Sequence, residues 1–444
     1  MTIESIAEQG TFSINEKHGY TCDKIFRDGN YYSSKPPVLS FIGAGFYYIL
    51  HKYLNLDFPS LEKYTDNSLA VYLMTLILTG LPFLLLLFYF YKAINLIEKK
   101  TKVKIKKKYC ALLIFGLGLG TLYMPYSSTL NNHIAAGSFL FISFYYLLKV
   151  KFNKTQTKKI NLYLIASGFF ASLSSVIDLP TGLTFLGLFF LYFLFTLRSK
   201  KIIYYLLASI PLLIIHLYLN VQITGDFLPA QLHPEYWADF RRMIVKRNIF
   251  IYTFNILFGS RGLFFYSPIL FFSFYAIYKI INPVPLLQNI ISCLKKLNLH
   301  LSLLYKQQNI LKQCWIKNKK HLFYKEAFLI SIGFLIIILF YIIKIRDYGG
   351  ASYAFRWLIA VTPLLYFFTI FLFIKPTNKL KTIFLLILIL SIMISAVGLY
   401  NPWLSSGIEI PILNKTIIIH SSFLYNLFFM FVFPNAQPNK VNLN

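Results

Sequence analysis

The chain has 444 residues, of which 57% are hydrophobic and 14% are charged, and its formal net charge is +28. So few charged side chains cannot cover the surface of a water-soluble globule of this size, which excludes a soluble globular protein. A charge of +28 would suggest a nucleic-acid partner in a soluble protein, so the positions of the basic residues along the chain have to decide that question.

Residues 1–67 are predicted to form an outer leader that ends in an interfacial helix. The acids of this leader's first half are Glu4, Glu8, Glu16, Asp23 and Asp28. Residues 37–56 are apolar, but they follow a Lys-Pro-Pro sequence and contain tyrosines, which favour the headgroup region. A membrane crossing at 37–56 would place the acidic leader together with the lysine-rich loops. We therefore expect this helix to lie along the outer surface.

Apolar runs close to the ~20 residues that cross a hydrocarbon core recur after residue 68. They predict an all-α integral membrane protein with about eleven transmembrane helices plus the interfacial helix. The predicted spans are 68–91, 109–126, 129–149, 160–177, 181–197, 202–220, 262–281, 327–343, 354–374, 380–399 and 418–433. The multi-span domain, 68–433, contains an outer loop at 221–261 and a basic amphipathic cytoplasmic insert at 282–326. Residues 434–444 are a cytoplasmic tail.

Charge sorts the loops between these spans into two alternating sets. The segments of the first set are 92–108, 149–159, 198–201, 279–326, 375–381 and the C-terminal tail. They hold 29 of the 44 Lys and Arg residues and only two acids, Glu98 and Glu326. The rest of the chain holds 15 basic and 14 acidic residues. Because basic loops stay in the cytoplasm, this pattern predicts a multi-pass plasma-membrane protein and no nucleic-acid partner.

Polar and turn-forming residues concentrate in the loops of the second, outer set. Lys35 precedes two prolines at a helix start, where its ammonium can bind a lipid phosphate or simply anchor the helix. Asp178, in IDLPTG, lies at a junction of two spans, where an ionisable residue favours a functional role, although it also suits an N-cap. Asn132 and His133, in NNH, suit hydrogen bonds to a sugar or diphosphate, or helix capping.

The outer segment HPEYWADFRR contains an imidazole, a carboxylate and aromatic rings, with His233, Glu235 and Tyr236 as its first candidates. Stacking faces beside hydrogen-bonding groups suit carbohydrate and phosphate. Tyrosine and tryptophan also anchor helices at the membrane interface, so the pattern alone does not decide between binding and anchoring.

Two arginines follow glycine-containing turns at the outer starts of spans: Arg261 in GSRG, and Arg356 in GGASYAFR, which begins at Gly349 and Gly350. Glycine lets the backbone approach a ligand closely, and arginine binds phosphate oxygens through two donors at once. The alternative is that these arginines reach for lipid headgroups.

The sequence has no Walker loop and no paired-histidine metal motif. GLGLG at 116–120 lies within an apolar span, which favours close helix packing over nucleotide binding. We therefore predict no cofactor and assign no metal ligands, and the sequence leaves the need for a divalent metal open.

The motifs GTFSI…CDKIFRDGNYYSSKPPVLSFIG, YSSTLNNHIAAG, IDLPTG, GSRGLFFYSPIL and YGGASYAFRWLIAVTPLL together resemble the GT-C superfamily of integral-membrane glycosyltransferases. The nearest branch is the bacterial relatives of the protein O-mannosyltransferases and the lipid A aminoarabinose transferase. The resemblance covers almost the whole chain. It implies inverting transfer of a sugar from a polyprenyl-phosphate carrier to a hydroxyl of a lipid, glycan or protein acceptor at the outer face. It assigns the carrier phosphate to Lys35 and the family's glycine-rich turn to Gly349, Gly350 and Arg356.

The resemblance also implies a first span and a catalytic aspartate upstream of the AEQGTFSI segment. Met1 lies only a few residues before that segment, so we expect a chain that is truncated at its N-terminus and lacks this aspartate. The remaining carboxylates that could assist are Asp178, Glu235 and Asp347. The alternatives are a transporter or flippase for lipid-linked sugars and a non-catalytic remnant of a GT-C enzyme.

Overall fold

The computed structural model describes residues 1–21, 23–59, 68–153, 157–237, 248–281, 322–345, 348–350, 352–403, 408–412, 415–419 and 421–432. These residues form a helical, multi-pass membrane protein with two short antiparallel hairpins. Seven of the described helices are long and apolar enough to cross a membrane.

The N-terminal region is a helix, a hairpin and a second helix. Helix α1 (Thr2–Glu4) continues as a π-helical turn (Ser5–Gln9), and strands β1 (Lys24–Arg27) and β2 (Asn30–Ser33) precede helix α2 (Pro37–Leu54). The hairpin turn is Asp-Gly with φ of 50° and 79°, the backbone that two-residue hairpins prefer. This short hairpin was not predicted, while the predicted all-α fold class is confirmed by the helices that make up most of the described chain.

Helix α2 begins at the second proline of the Lys-Pro-Pro sequence, because proline's fixed φ suits the first turn of a helix. It is not among the seven apolar helices that could cross a membrane. Its predicted place at the outer interface remains a prediction.

The following helices are given in chain order. They are α3 (Leu69–Thr101), α4 (Lys107–Gly118), α5 (Tyr123–Ser127), α6 (Asn132–Phe152), α7 (Thr157–Ile177), α8 (Leu179–Leu197), α9 (Ile203–Thr224), α10 (Ile249–Leu257), α11 (Leu263–Tyr266), α12 (Leu270–Ile281), α13 (Tyr324–Phe340, with a π-helical turn Tyr341–Ile345), α14 (Thr362–Tyr366, with a 3₁₀ turn Phe367–Phe373), α15 (Asn378–Tyr400) and α16 (Ser422–Val432). Strands β3 (Ile408–Ile412) and β4 (Lys415–Ile419) pair between α15 and α16.

Seven of the eleven predicted spans are confirmed as helices of sufficient length, namely α3, α6, α7, α8, α9, α13 and α15. The other four predicted spans contain shorter helices, so the number of crossings remains a prediction. Pro268 separates α11 from α12, because proline lacks the N–H that a helix interior needs. The predicted starts at 354 and 418 are wrong. The chain is not yet helical at 354, and residues 418 and 419 belong to β4, whose β-branched run favours a strand.

Two of the predicted loops contain helical residues, and their bounds remain predictions. Helix α10 lies inside the predicted outer loop 221–261, and α13 begins inside the predicted insert 282–326. Residues 282–321 of that insert and the tail 434–444 lie outside the described residues.

Helix α6 lies at the centre of the molecule. In its most apolar stretch 83% of the residues are buried, against 22% for α9. Phe141 and Phe144 of α6 contact Phe367, which follows α14, with ring centroids 6.4 and 5.0 Å apart. This packing fixes the middle of α6, whose N-terminal end carries part of the candidate site.

Loops that charge assigned to the same side contact one another. On the basic side, Lys151 Nζ lies 2.7 Å from Glu326 Oε2, and Lys100 Nζ donates to the Phe152 carbonyl at 3.2 Å. On the other side, the Tyr126 hydroxyl donates to the carbonyls of Tyr353 and Pro402, at 3.0 and 3.1 Å. The two sets of loops therefore correspond to two structural ends of the protein.

Candidate functional site

The hairpin places Asp23 beside Lys35. The Ser34 N–H donates to the Asp23 carbonyl at 3.0 Å, which extends the β1–β2 pairing by one step. Lys35 follows directly, and its Nζ lies 2.9 Å from Asp23 Oδ2. The lysine that the sequence singled out is therefore held at the start of α2 by a leader carboxylate.

Arg356, which is far from the hairpin in the sequence, also approaches the Asp23 carboxylate. Its Nη2 lies 3.8 Å from Asp23 Oδ2, and its guanidinium carbon lies 5.1 Å from the centre of the Trp403 ring. Gly349 and Gly350 have φ of 86° and 69°, and a Cβ on Gly350 would lie 3.7 Å from Arg356 Nη2. The predicted glycine turn thus lies against the arginine, which is only 8% exposed.

The charge of Asp23 is set by these two cations. Partial desolvation of this half-exposed carboxyl opposes its ionisation, but Lys35 and Arg356 outweigh that effect and lower the pKa below its ordinary value of 3.8. Asp23 is therefore a carboxylate at neutral pH, and one anionic oxygen lies between two cations.

His133 and Asp178 form a buried pair. Asn131 caps the N-terminus of α6 and thereby fixes His133, while Asp178 occupies the corner between α7 and α8. His133 Nδ1 lies 2.7 Å from Asp178 Oδ2, and the two side chains are 8% and 3% exposed. Asn132 donates to the Ile177 carbonyl at 3.0 Å, which holds the corner against α6.

Close backbone packing brings this pair toward Arg356. Gly137 lies one turn after His133, and Ala360 lies one turn after Arg356. A Cβ on Gly137 would lie 2.8 Å from the Ala360 Cα. Because glycine permits this approach, the first turns of the two segments are neighbours. The sequence-predicted residues Lys35, Asn132, His133, Asp178, Gly349, Gly350 and Arg356 are therefore assembled at one end of the molecule.

His233 belongs to a separate arrangement. Its Nδ1 lies 2.8 Å from Glu235 Oε1, its Nε2 lies 3.1 Å from Asp226 Oδ1, and Tyr236 stacks on it at 4.8 Å. Burial opposes protonation, but the two carboxylates outweigh it and raise the histidine pKa above 6.5. The described ion pairs of His233 remain within this loop, while Tyr236 also packs against the hydrophobic cluster that contains Ile25 of β1.

One further contact joins that loop to the hairpin, because the Gln231 side-chain amide donates to the Ser34 carbonyl.

Arg261 lies behind the glycine turn. Its guanidinium donates to the Ser352 carbonyl, and its own carbonyl accepts from the Phe355 N–H at 3.0 Å. These bonds support the segment that carries Arg356, and binding of a ligand phosphate by Arg261 remains a prediction. Asp347 lies outside the described residues.

Two sets of side chains were not among the site residues predicted from the sequence. Asp23 was counted only as one acid of the leader, although its place twelve residues before Lys35, across an Asp-Gly turn, could have paired the two. Glu8, His51 and Asp57 were also missed. They offer three possible metal-ligand atoms within 4.8 Å of one another near the end of α2.

No protein-family model matches the chain, and no curated protein matches it. Two crystal structures are similar to it, those of ArnT from Cupriavidus metallidurans bound to undecaprenyl phosphate and in the apo state. The first has a TM-score of 0.46 at 11% identity, and the second 0.45 at 12%. Each alignment covers 87% of this chain and 56% of the other, so this chain spans little more than half the length of those structures.

Proposed function

We propose that this protein transfers a sugar from a polyprenyl-phosphate carrier to an acceptor hydroxyl, with inversion, at the outer face of the plasma membrane. The observation that carries the proposal is the approach of Lys35 and Arg356 to one carboxylate oxygen, beside the buried His133–Asp178 pair. Two cations around one anionic oxygen suit a phosphate, and a buried histidine–carboxylate pair suits proton transfer. The sequence resemblance to GT-C glycosyltransferases supports the same activity.

The phosphate side of the reaction needs charge stabilisation. In a polyprenyl-phosphate sugar, the bond between the anomeric carbon and the phosphate oxygen breaks, and its electron pair stays on the phosphate. In our proposal Lys35 and Arg356 stabilise that developing charge. The backbone at Gly349 and Gly350 holds the arginine where a phosphate could reach it.

The acceptor side of the reaction needs a proton acceptor. The acceptor oxygen attacks the anomeric carbon from the face opposite the phosphate, and its proton has to leave. We assign that proton to His133 Nε2, because Nδ1 is already engaged by Asp178. Asp178 holds the ring in place and stabilises the imidazolium that forms. The products are the glycosylated acceptor and polyprenyl phosphate.

The remaining candidates take supporting roles in this proposal. Asn132 positions the corner that carries Asp178 through its bond to the Ile177 carbonyl. The stacked His233 and Tyr236 offer an aromatic face for a sugar or acceptor. Glu235 is engaged by His233, which makes it a poor proton acceptor for the reaction.

The test is to supply membranes containing the full chain with radiolabelled polyprenyl-phosphate sugars and to measure whether the label leaves the carrier. We expect transfer to a new product, at least about a hundredfold slower in Arg356→Ala because a buried charge contact to phosphate is lost. Arg198→Ala, at the basic end of the protein, is the matched control. Label that crosses the membrane still attached to its carrier would point to a flippase instead. Transfer that is unaffected by Arg356→Ala would overturn the proposed site.

A further inference from the structure

Asp23 is the anion that Lys35 and Arg356 already hold at the proposed phosphate site. Lys35 Nζ and Arg356 Nη2 approach the same oxygen, Oδ2, at 2.9 and 3.8 Å. The carboxylate thus lies where the negative charge of a ligand between Lys35 and Arg356 would have to lie.

The fit of this carboxylate to the arginine is incomplete. A distance of 3.8 Å is an ion pair but is longer than a hydrogen bond. Arg356 Nε is buried and has no hydrogen-bond partner in the described part of the chain. A guanidinium presents five donors in a planar fork, so a larger anion with oxygens at several angles would satisfy it better.

We propose that the Asp23 carboxylate occupies the seat of the carrier phosphate and is displaced from it when the carrier binds. This inference rests on the proposed function, and it adds a residue that competes with the ligand. Asp23 neutralises Lys35 and Arg356 while the site holds no carrier, and the Arg356 guanidinium in particular is buried, where a cation without a partner is costly.

The position of Asp23 permits this exchange. Its side chain is 46% exposed, so it can turn toward water. Its backbone carbonyl remains bonded to the Ser34 N–H, so the turn of the side chain disturbs no strand pairing. A carboxylate and a phosphate repel each other at contact distance, and the low pKa of Asp23 means that it does not escape this repulsion by taking up a proton near neutral pH.

The experiment measures binding of undecaprenyl phosphate to the full chain in nanodiscs of phosphatidylcholine, followed by tryptophan fluorescence, since Trp403 lies against Arg356. Asp23→Asn and Asp23→Ser both remove the competing charge. Asp28→Asn is the matched control, because it removes an acid of the same hairpin that pairs with Arg27 instead. Asp23→Glu keeps the charge. Undecaprenol tests whether the phosphate is what responds.

We expect Asp23→Asn and Asp23→Ser to bind undecaprenyl phosphate about tenfold more tightly than wild type, and Asp23→Glu and Asp28→Asn to bind within about twofold of it. Equal or weaker binding in both neutral variants, with Lys35→Ala and Arg356→Ala still weakening it, would overturn the displacement and leave the proposed function standing. Undecaprenol binding that tightens equally would also overturn it. An affinity for undecaprenyl phosphate that is unchanged in Lys35→Ala and Arg356→Ala would contradict the proposed phosphate site itself.

Discussion

Two histidines at the same end of the molecule pair with carboxylates, in different surroundings. His133 lies in the first turn of α6 and its partner Asp178 at the corner between α7 and α8, and both side chains are almost fully buried, at 8% and 3% exposure. His233 is as buried, at 7%, but its partners Asp226 and Glu235 lie on a loop and are 50% and 60% exposed. The two imidazoles are equally buried, so it is the burial of the partner carboxylate that distinguishes a candidate proton acceptor from a contact within a loop.

Water explains this difference. A carboxylate without water around it is held by its histidine and in turn fixes the ring orientation that proton transfer needs. Exposed carboxylates are solvated and screened, so their pairing with His233 contributes little beyond docking the loop. The buried pair also lies beside Arg356, whereas the loop of His233 lies against the hairpin, through the Gln231 hydrogen bond and the packing of Tyr236 in the cluster of Ile25.

Replacing each of the two aspartates in turn by asparagine is the most direct test of the difference between the two histidine pairs. Asp178→Asn is expected to slow sugar transfer by about a hundred- to ten-thousandfold, because the proton acceptor His133 loses the carboxylate that orients its ring and stabilises its imidazolium. Asp226→Asn, the matched change in the loop pair, is expected to leave transfer within about threefold. Single-turnover transfer rates measure both. Equal losses in the two variants would refute the distinction.

Substitution of Arg356 and of Arg27 tests the same difference through carrier binding. Arg356→Lys keeps the charge but loses the forked donors, so we expect undecaprenyl phosphate to bind about tenfold more weakly. Arg27→Lys is the control on the loop side, where Arg27 donates to the Ile223 carbonyl at 3.2 Å. It should change carrier binding by less than about twofold. Titration in nanodiscs gives both affinities, and a larger effect of Arg27→Lys would place the anion site on the loop instead.

A smaller effect is expected from the packing that joins α6 to the Arg356 segment. A Cβ on Gly137 would lie 2.1 Å from the Tyr123 hydroxyl, whereas a Cβ on Gly187 of α8 meets no atom within 4 Å. Gly137→Ala should therefore lower the free energy of unfolding by about 1–3 kcal/mol, the cost of overpacking a core. Gly187→Ala should leave it unchanged or raise it by up to about 1 kcal/mol, because alanine has the higher helix propensity and its Cβ meets open space. Denaturant titration in detergent tests this, and identical midpoints would show that the approach of the two segments is not tight.

The smallest effect concerns the loop pair itself. The pKa of His233 is raised above 6.5 in the folded protein, so its contribution to stability is fully present below pH 6.5 and is lost as the pH rises through the raised value. His233→Gln should therefore lower the melting temperature slightly at pH 6 and not at pH 9. Melting curves of the two proteins at both pH values provide the check. A deficit that is larger at pH 9 would contradict the sign of this shift.

The residues of the candidate site could be predicted from the sequence better than the way in which the fold brings them together. Lys35, His133, Asp178 and Arg356 stand out because polar residues at span ends are costly and therefore few. The role of Asp23 could not be read in the same way, since an acid in a polar leader is unremarkable until the fold brings Arg356 to it. Apolar runs predicted the long helices well, whereas they could not show that Pro268 breaks one span or that β4 replaces the start of another.

The ion pair between Asp23 and Arg356 joins residues 333 positions apart in the chain. During synthesis the hairpin is made long before the arginine, which emerges only after most of the helices have been inserted. A nascent chain therefore holds Lys35 and Asp23 without the second cation. If the phosphate seat needs both cations, a newly made molecule cannot capture its carrier until its final third has entered the bilayer.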